Sequence, residues 1–255
     1  MTINKNHSAE KFYNLLGEDY DLMTDDKTRW KEVKNQYEKL LEEFHPEDIL
    51  DAGCGTGGES ILLSEMGYSV TGVDLSPEFI KIAKSKFGSV HSNVNFAVDD
   101  IRNLSSIEDK SVELITCRGN TIPHLMDVGD LQDALKSFKR VLKKDGLLIL
   151  QWLNYPYIQK QSQRLIEVTG GNKDPFVSFY DFITSDTLRF NILKLSHDKK
   201  WKSEWLSTEV YAWSGDDVGM LMADIGWSNI EIASDIERSD FEPDSSKNIV
   251  MFATG

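Results

Sequence analysis

The chain has 255 residues, 40% of them apolar, with 28 Lys and Arg against 42 Asp and Glu, giving a formal net charge of −14. This length and composition predict one α/β domain with at most an elaboration, and a surface this acidic repels phosphate backbones and anionic membranes, which argues against either as partner. Two cysteines, Cys54 and Cys117, offer no disulfide framework and no metal-ligand spacing; without an apolar signal core after Met1 or an apolar run of spanning length, the expectation is a cytoplasmic protein without a metal.

Residues 1–10 are polar and predict a loose N-terminus. Phe12, Tyr13, Leu15, Leu16, Tyr20 and Met23 make an aromatic-rich amphipathic stretch, and Trp30, Val33, Tyr37, Leu40 and Phe44 recur at helical spacing. His45-Pro46 stops that helix, because proline pushes the residue before it out of the helical region. From Asp48 onward strands and helices alternate, with strands expected at about 48–53, 69–74, 94–98, 112–117 and 146–152. Between them Ile61, Leu62 and Met66 mark one helix, and Phe79, Ile80 and Ala83 a second, opened by a Ser76 cap and Pro77. Leu131, Leu135, Phe138 and Leu142 mark a third, closed by Lys143-Lys144-Asp145-Gly146. Leu188, Phe190 and Ile192 then alternate with polar residues, and a turn at His197-Asp198-Lys199-Lys200 leads into Trp201–Trp213, which predicts an inserted antiparallel hairpin. Ser214-Gly215-Asp216-Asp217 opens a helix that Gly226 ends, and Ile230–Ile232 with Asn248–Ala253 close the sheet. The alternation implies a mostly parallel sheet, with ligands beyond the carboxyl ends of its strands.

The stretch Ile49-Leu50-Asp51-Ala52-Gly53-Cys54-Gly55-Thr56-Gly57-Gly58 reads as a buried strand, a tight turn and a helix N-terminus, where a ligand can lie against bare backbone. Gly53-x-Gly55-x-x-Gly58, with Asp74 downstream, satisfies the dinucleotide fingerprint and leaves a nucleotide-dependent oxidoreductase open. Asp51 opposes that reading. A carboxylate just before the first glycine disfavours a docking pyrophosphate and favours a ligand carrying positive charge.

Asp51-x-Gly53-x-Gly55-x-Gly57 resembles the first motif of class I S-adenosylmethionine-dependent methyltransferases. Asp74, ending Ser69-Val70-Thr71-Gly72-Val73-Asp74, matches that family's acid for the ribose hydroxyls, and Asp100-Ile101 matches its acid–apolar pair at the adenine. The resemblance implies a Rossmann-like class I methyltransferase fold, a mostly parallel seven-stranded sheet with an antiparallel hairpin insertion near the active site. It implies S-adenosyl-L-methionine as cofactor and S-adenosyl-L-homocysteine as product, with Leu75 and Cys117 as further cofactor contacts. Gly57-Gly58-Glu59-Ser60-Ile61, then Cys117-Arg118-Gly119-Asn120-Thr121-Ile122-Pro123-His124-Leu125 and Asn154-Tyr155-Pro156-Tyr157, is similar to the glycine N-methyltransferase group over roughly residues 12–157. On that likeness residues 1–45 form a helical cap, 46–155 with 214–255 the cofactor domain, and 156–213 an inserted lid over the substrate.

The same likeness puts Arg29 on the cofactor carboxylate, by its spacing from Asp51, and folds Tyr20 over the cofactor. Asn120 and His124 follow the fourth strand, where the acceptor approaches the methyl group: Asn120 to hold an amine by its carbonyl, His124 to accept a proton or a hydrogen bond. One position departs from the group. Where its glycine-methylating members carry an arginine for the substrate carboxylate this chain has Leu153, and a buried leucine cannot pair with a carboxylate. Trp152, Leu153, Phe179 and Trp213 therefore point to an acceptor with more apolar surface, unless Arg118 or Arg189 supplies the missing cation. The expected function is methyl transfer to a small-molecule acceptor, an amine nitrogen, by in-line displacement. O-methylation of a small apolar or aromatic metabolite is the alternative. Asn154-Tyr155-Pro156-Tyr157 also resembles the tetrapeptide of nucleic-acid amino-methylases, but follows the fifth strand rather than the fourth. Monomer and homo-oligomer are both left open.

Overall fold

The computed structural model describes residues 6–24, 27–87, 93–169, 175–197 and 201–255, with the side chains of all of these except 27–29, 43, 197 and 201. The chain begins with β1 (Asn6–His7), α1 (Ala9–Leu16), α2 (Asp19–Thr24) and α3 (Lys27–Glu43). It continues through β2 (Asp48–Ala52), α4 (Gly58–Glu65), β3 (Ser69–Asp74), α5 (Pro77–Phe87), β4 (Val94–Val98), β5 (Val112–Cys117), α6 (Val128–Val141) and β6 (Leu142–Leu153). Then come α7 (Tyr155–Lys160), β7 (Leu165–Thr169), β8 (Phe176–Phe182), β9 (Thr187–His197) and β10 (Trp201–Tyr211). The chain closes with α8 (Gly215–Ile225), β11 (Ser228–Ala233) and β12 (Asn248–Thr254).

Seven strands form the main sheet in the order β11-β12-β6-β5-β2-β3-β4. The pairings from β6 through β4 are parallel and β12 is antiparallel to both its neighbours. From β2 the chain moves outward through β3 and β4, then crosses back to β5 on the other side. The order thus reverses between β2 and β5, so the loops leaving these two strands diverge and open a crevice between them. Ser76 caps α5 by accepting from the Phe79 N–H, and Ser214 caps α8 by accepting from the Asp217 N–H. Both are the local signals that the sequence advertises.

The inserted region is larger than a hairpin. Strands β7–β10 form an antiparallel sheet, and β1 adds to its far edge, parallel to β10, through Asn6↔Ser207 and His7↔Thr208. The N-terminus expected to be loose is therefore paired from Asn6, and Ser8 caps α1. Residues 198–200 of the expected turn lie outside the described residues. The aromatic stretch 12–23 is two helices instead of one, since Gly17 takes φ 51 and ends α1. Helix α6 stops at Val141, before the expected Lys143–Gly146 closure, because the parallel ladder with β5 captures the chain at Leu142. Asp145 takes the left-handed φ of 65 there, and a Cβ on Gly146 would stand 2.8 Å from the Glu113 carbonyl.

Helix α3 packs into the main body through Val33, Tyr37 and Leu41, whereas Phe12 and Leu16 of α1 pack on Phe176, Ile192 and Leu206 of the inserted sheet. Two indoles join insertion and body: Trp152 Nε1 donates to the Trp213 carbonyl (2.9 Å), and Trp213 Nε1 to the Leu125 carbonyl (2.8 Å). Both tryptophans are buried in the shared core, as is the body's Tyr155 against the insertion's Tyr180. Trp152→Phe, which strands one buried carbonyl and removes packed volume, is expected to cost roughly 2–4 kcal/mol. A lowered urea midpoint at unchanged denaturant slope is the reading that checks it.

Candidate functional site

The last residue but one of β2 is Asp51, 3% exposed, whose Oδ2 accepts from the Ser60 hydroxyl (2.5 Å). Burial and then the neighbouring Glu59 charge push the Asp51 carboxyl up to about 8, against the pull of the Ser60 bond and Arg118. The loop that follows is fixed by the next strand. Gly53 and Cys54 N–H both donate to the Val73 carbonyl, and Gly55 N–H donates to Asp74 Oδ2 (2.9 Å). Gly53, Gly55 and Gly57 all hold positive φ. A Cβ on Gly57 would strike Phe96 at 2.7 Å, while one on Gly55 would meet only Tyr20, at 3.8 Å. Gly55 therefore presents bare backbone.

Two cavities meet at this loop. The smaller, about 310 Å³, is lined by Asp74, Leu75, Asp100, Ile101, Tyr13 and His124 among others. The larger, about 760 Å³, is lined by Asp51, Thr56, Glu59, Arg118, Gln151 and Leu153 among others. Tyr20, Gly53, Gly55, Gly119 and Asn120 line both. The crevice between β2 and β5 is therefore long, with one carboxylate at each end of the glycine loop.

Within the smaller cavity Asp74 Oδ1 accepts from Ser76 N–H (2.8 Å), completing one backbone donor per oxygen and leaving each a further lone pair. Its carboxyl is raised by burial, with the two N–H bonds opposing. Asp100 is gripped by Arg102, whose Nε lies 3.1 and 3.0 Å from its two oxygens and whose Nη1 reaches Asp130 (3.0 Å). Burial pushes Asp100 up, yet Arg102 holds it below the ordinary carboxylate range. Asp99 serves the turn instead, accepting from the N–H groups of Asp100, Ser105 and Ser106. Tyr20 packs against Phe79 and Tyr13, ring centroids 5.0 and 6.2 Å away.

Asn120 sits at φ 77 after Gly119 at φ 73. Its carbonyl accepts from Leu153 N–H (3.2 Å) and its amide donates to the Tyr155 hydroxyl (2.5 Å), so the side chain expected to hold an amine already ties the β5 loop to the end of β6. His124 lies in a single 3-10 turn, Ile122–His124, with Nε2 2.9 Å from the Tyr13 hydroxyl. Burial pushes its imidazole down to about 4, so it is neutral and a weak base. Cys117 is buried in the core and lines neither cavity; burial and then Asp51 push its thiol up. The side chain of Arg29 lies outside the described residues.

Two other expectations are corrected. Trp152 and Trp213 are core residues, and Phe179 meets Trp205 edge-to-face and lines neither cavity, so these aromatics form no apolar acceptor wall. Arg189 pairs with Glu209 and lines neither cavity. Asn154 caps α7 and donates to the Pro243 and Ser246 carbonyls, which leaves its tetrapeptide structural. A cluster missing from the sequence reading stands beside Asp51. Tyr37 and Thr116 hydroxyls donate to Glu59 Oε1 (2.5 and 2.9 Å), and Arg118 Nη1 meets Glu59 Oε2 (3.3 Å). Tyr37 reads as a helix packing residue and Glu59 as an ordinary first-turn acid, so no local signal joins them.

Residues 49–146 match a family model described as a methyltransferase domain. These residues carry a methyltransferase domain. The whole chain superposes on an S-adenosylmethionine-dependent methyltransferase from Clostridium acetobutylicum with a TM-score of 0.79 at 22% identity, covering 95% of this chain and 98% of that one. A putative methyltransferase, YqeM, of Bacillus subtilis is 35% identical over 117 residues, 45% of this chain and 47% of that protein. Human glycine N-methyltransferase is 31% identical over 148 residues, 52% and 50% respectively. The chain thus spans about half the length of these curated relatives. The Rossmann-like fold and the nearness to the glycine N-methyltransferases stand as expected, and the nicotinamide reading falls with the family match. Among the described residues no cluster could hold a metal ion and no helix is long and apolar enough to cross a membrane.

His124 also gives the fold an acid-sensitive point. Its folded-state pKa lies below the unfolded value of about 6.5, so unfolding takes up a proton and stability is lost as pH falls from about 6.5 toward 4. His124→Gln is expected to flatten that limb by roughly 1–3 kcal/mol, visible in melting temperatures recorded across the interval.

Proposed function

We propose that the protein transfers a methyl group from S-adenosylmethionine to the nitrogen of a small-molecule amine. The observation that carries this reading is the glycine loop set between two cavities, with Asp51 on one side and Asp74 on the other. S-adenosylmethionine, when bound, supplies an electrophilic methyl group on a sulfonium and leaves as S-adenosylhomocysteine. Asp74 keeps a free lone pair on each oxygen and suits the two ribose hydroxyls. Ile101 and Leu75 offer apolar surface to the base, and Asp100 an acceptor for its amine. Asp51, buried and with no ion pair among the described residues, suits the ammonium. Gly55 lets the ligand lie against the backbone, and the cofactor carboxylate is assigned to Arg29 on its spacing from Asp51 alone.

The chain's own share of the chemistry is alignment. Asn120 and Tyr155 fix the loop that crosses the crevice, while Tyr13 and Tyr20 close the nucleoside side against water. Nitrogen is favoured over a phenol by His124: an imidazole pushed down to about 4 is a poor base for a hydroxyl, whereas a neutral amine attacks first and loses its proton afterwards. The likeness to glycine N-methyltransferases supports the same choice. In this reading residues 46–155 and 214–255 hold the cofactor, 1–45 cap it, and 156–213 cover the acceptor. The acceptor is a small molecule and the site of action the cytoplasm.

Calorimetry tests the donor half. Asp74→Ala is expected to weaken S-adenosylhomocysteine roughly a hundredfold, and wild type showing no binding would end the assignment. Asp51 adds a pH signature. At pH 7 a carboxyl raised to about 8 is mostly protonated, and an arriving ammonium favours its ionised form. Binding should therefore release close to one proton at pH 7, seen as a buffer-dependent enthalpy, and tighten with pH until about 8. In Asp51→Asn that proton release should vanish.

A further inference from the structure

We propose that Asp21 is a positioning residue: through its bond to Thr56 it holds the Tyr20 ring over the bound cofactor. The inference rests on the cofactor placement given above and not on the choice of acceptor. Tyr20 stands where the two cavities meet, lining both, and a Cβ on Gly55 would lie 3.8 Å from its Cε1. A ligand lying along the bare Gly55 backbone is therefore covered by this ring. Yet α2, which carries Tyr20, is six residues long and none of them is buried. A helix of fewer than two turns with no buried apolar residue cannot by itself fix which way its side chains face.

What fixes it is polar. Successive residues of a helix point about 100° apart, so Asp19, Tyr20 and Asp21 leave α2 on different sides. Asp19 is paired with Lys194 on β9 of the inserted sheet. Asp21 turns to the body, where Oδ1 accepts from the Thr56 hydroxyl (2.6 Å) and Oδ2 is paired with Lys86 near the end of α5. Thr56 is 6% exposed and sits between Gly55 and Gly57, so this bond ties α2 directly to the glycine loop. Two anchors on different sides of a short helix set its rotation, and the residue between them is left facing the crevice. The anchors are unequal. The Lys194 and Lys86 side chains are 31% and 38% exposed, and pairs so open to solvent contribute little. The bond to Thr56 is charge-assisted and its donor is buried, which makes it the stronger hold.

The test follows release of S-adenosylhomocysteine from the full chain after a chase with unlabelled ligand, which needs no acceptor. Asp21→Ala and Thr56→Val should each speed release about tenfold, with the association rate within about twofold of wild type. Asp21→Asn keeps an acceptor for the Thr56 hydroxyl and loses only the Lys86 pair, so its release should stay within about threefold of wild type. Tyr20→Ala should speed release to a similar extent as Asp21→Ala. Adding Asp21→Ala to Tyr20→Ala should then change nothing more, because no ring is left to place. An Asp21→Ala effect that persists undiminished in the Tyr20→Ala background overturns the proposal, by giving Asp21 to the glycine loop alone. Release unchanged in Asp21→Ala and in Thr56→Val, or unchanged in Tyr20→Ala, overturns it as well. Wild type that binds no S-adenosylhomocysteine is a separate failure, which ends the cofactor reading and this proposal with it.

Discussion

The whole site rests on a carboxylate from one strand bonding the loop of its neighbour. The parallel ladder sets Asp51 opposite Gly72 and Ala52 opposite Val73, so β2 and β3 end nearly level. Asp74, one residue further, then reaches the Gly55 N–H, while the Val73 carbonyl takes Gly53 and Cys54. Three consecutive loop N–H groups are thereby fixed by β3 rather than by a ligand. The positive φ values of Gly53, Gly55 and Gly57 follow from that path. A side chain on Gly57 would have to displace Phe96, so the turn cannot be rebuilt from ordinary residues. The arrangement concentrates negative charge: Asp51, Glu59 and Asp74 lie close enough to raise Asp51 by their fields as well as by burial. Such a cluster is costly when empty and favourable around a cation, which ties the electrostatics of the loop to its ligand preference.

The N-terminal segment bridges the two sheets across this crevice. Strand β1 pairs with β10 of the insertion, and Phe12 is buried among the insertion's residues. Two residues on, Asn14 accepts from the Ser76 hydroxyl at the start of α5, and Tyr13 meets His124. Asp19 pairs with Lys194 of the insertion, while Asp21 takes the Thr56 hydroxyl beside the glycine loop. One short stretch therefore contacts inserted sheet, body and loop in turn. Tyr20, within it, lines both cavities. The segment is held by many modest polar contacts around one buried aromatic anchor, an arrangement that opens at lower cost than the main core.

Sequence pattern disclosed the main sheet almost completely, for a physical reason. Strands buried on both faces need continuous apolar runs, as in Ile49–Leu50 and Leu147–Leu150, and their ends are marked by acids and glycines that the crossover geometry requires. The inserted sheet was legible only in part. Strands β9 and β10 alternate clearly, but β7 exposes Leu165 and Val168 and breaks its register between Leu165 and Glu167, so its pattern carries no face. Strand β1 is two polar residues long and exists only because β10 offers an edge. For the site, strand-end acids and glycines were readable because their positions along the chain fix their positions in space. Cys117 was misplaced since a strand's last side chain can face either layer, and here it faces the core. The Tyr37–Glu59–Arg118 cluster joins residues from three elements, and only their packing brings them together.

That cluster also shows why a substrate cannot be carried over from a resemblance at one position. Replacing an arginine by Leu153 looks like the loss of a carboxylate site when the strand is read alone. In three dimensions the cavity wall still contains a cation, contributed by the residue after β5. The charge that an anionic group would meet has moved, and its direction of approach with it. A guanidinium anchored by Glu59 and by the Tyr37 face is more rigid than one on a free rotor, so it discriminates by geometry as well as by charge. Glu59 makes that rigidity possible and also sets its limit. Because Glu59 neutralises part of the arginine's field, a lone anion gains little at this wall.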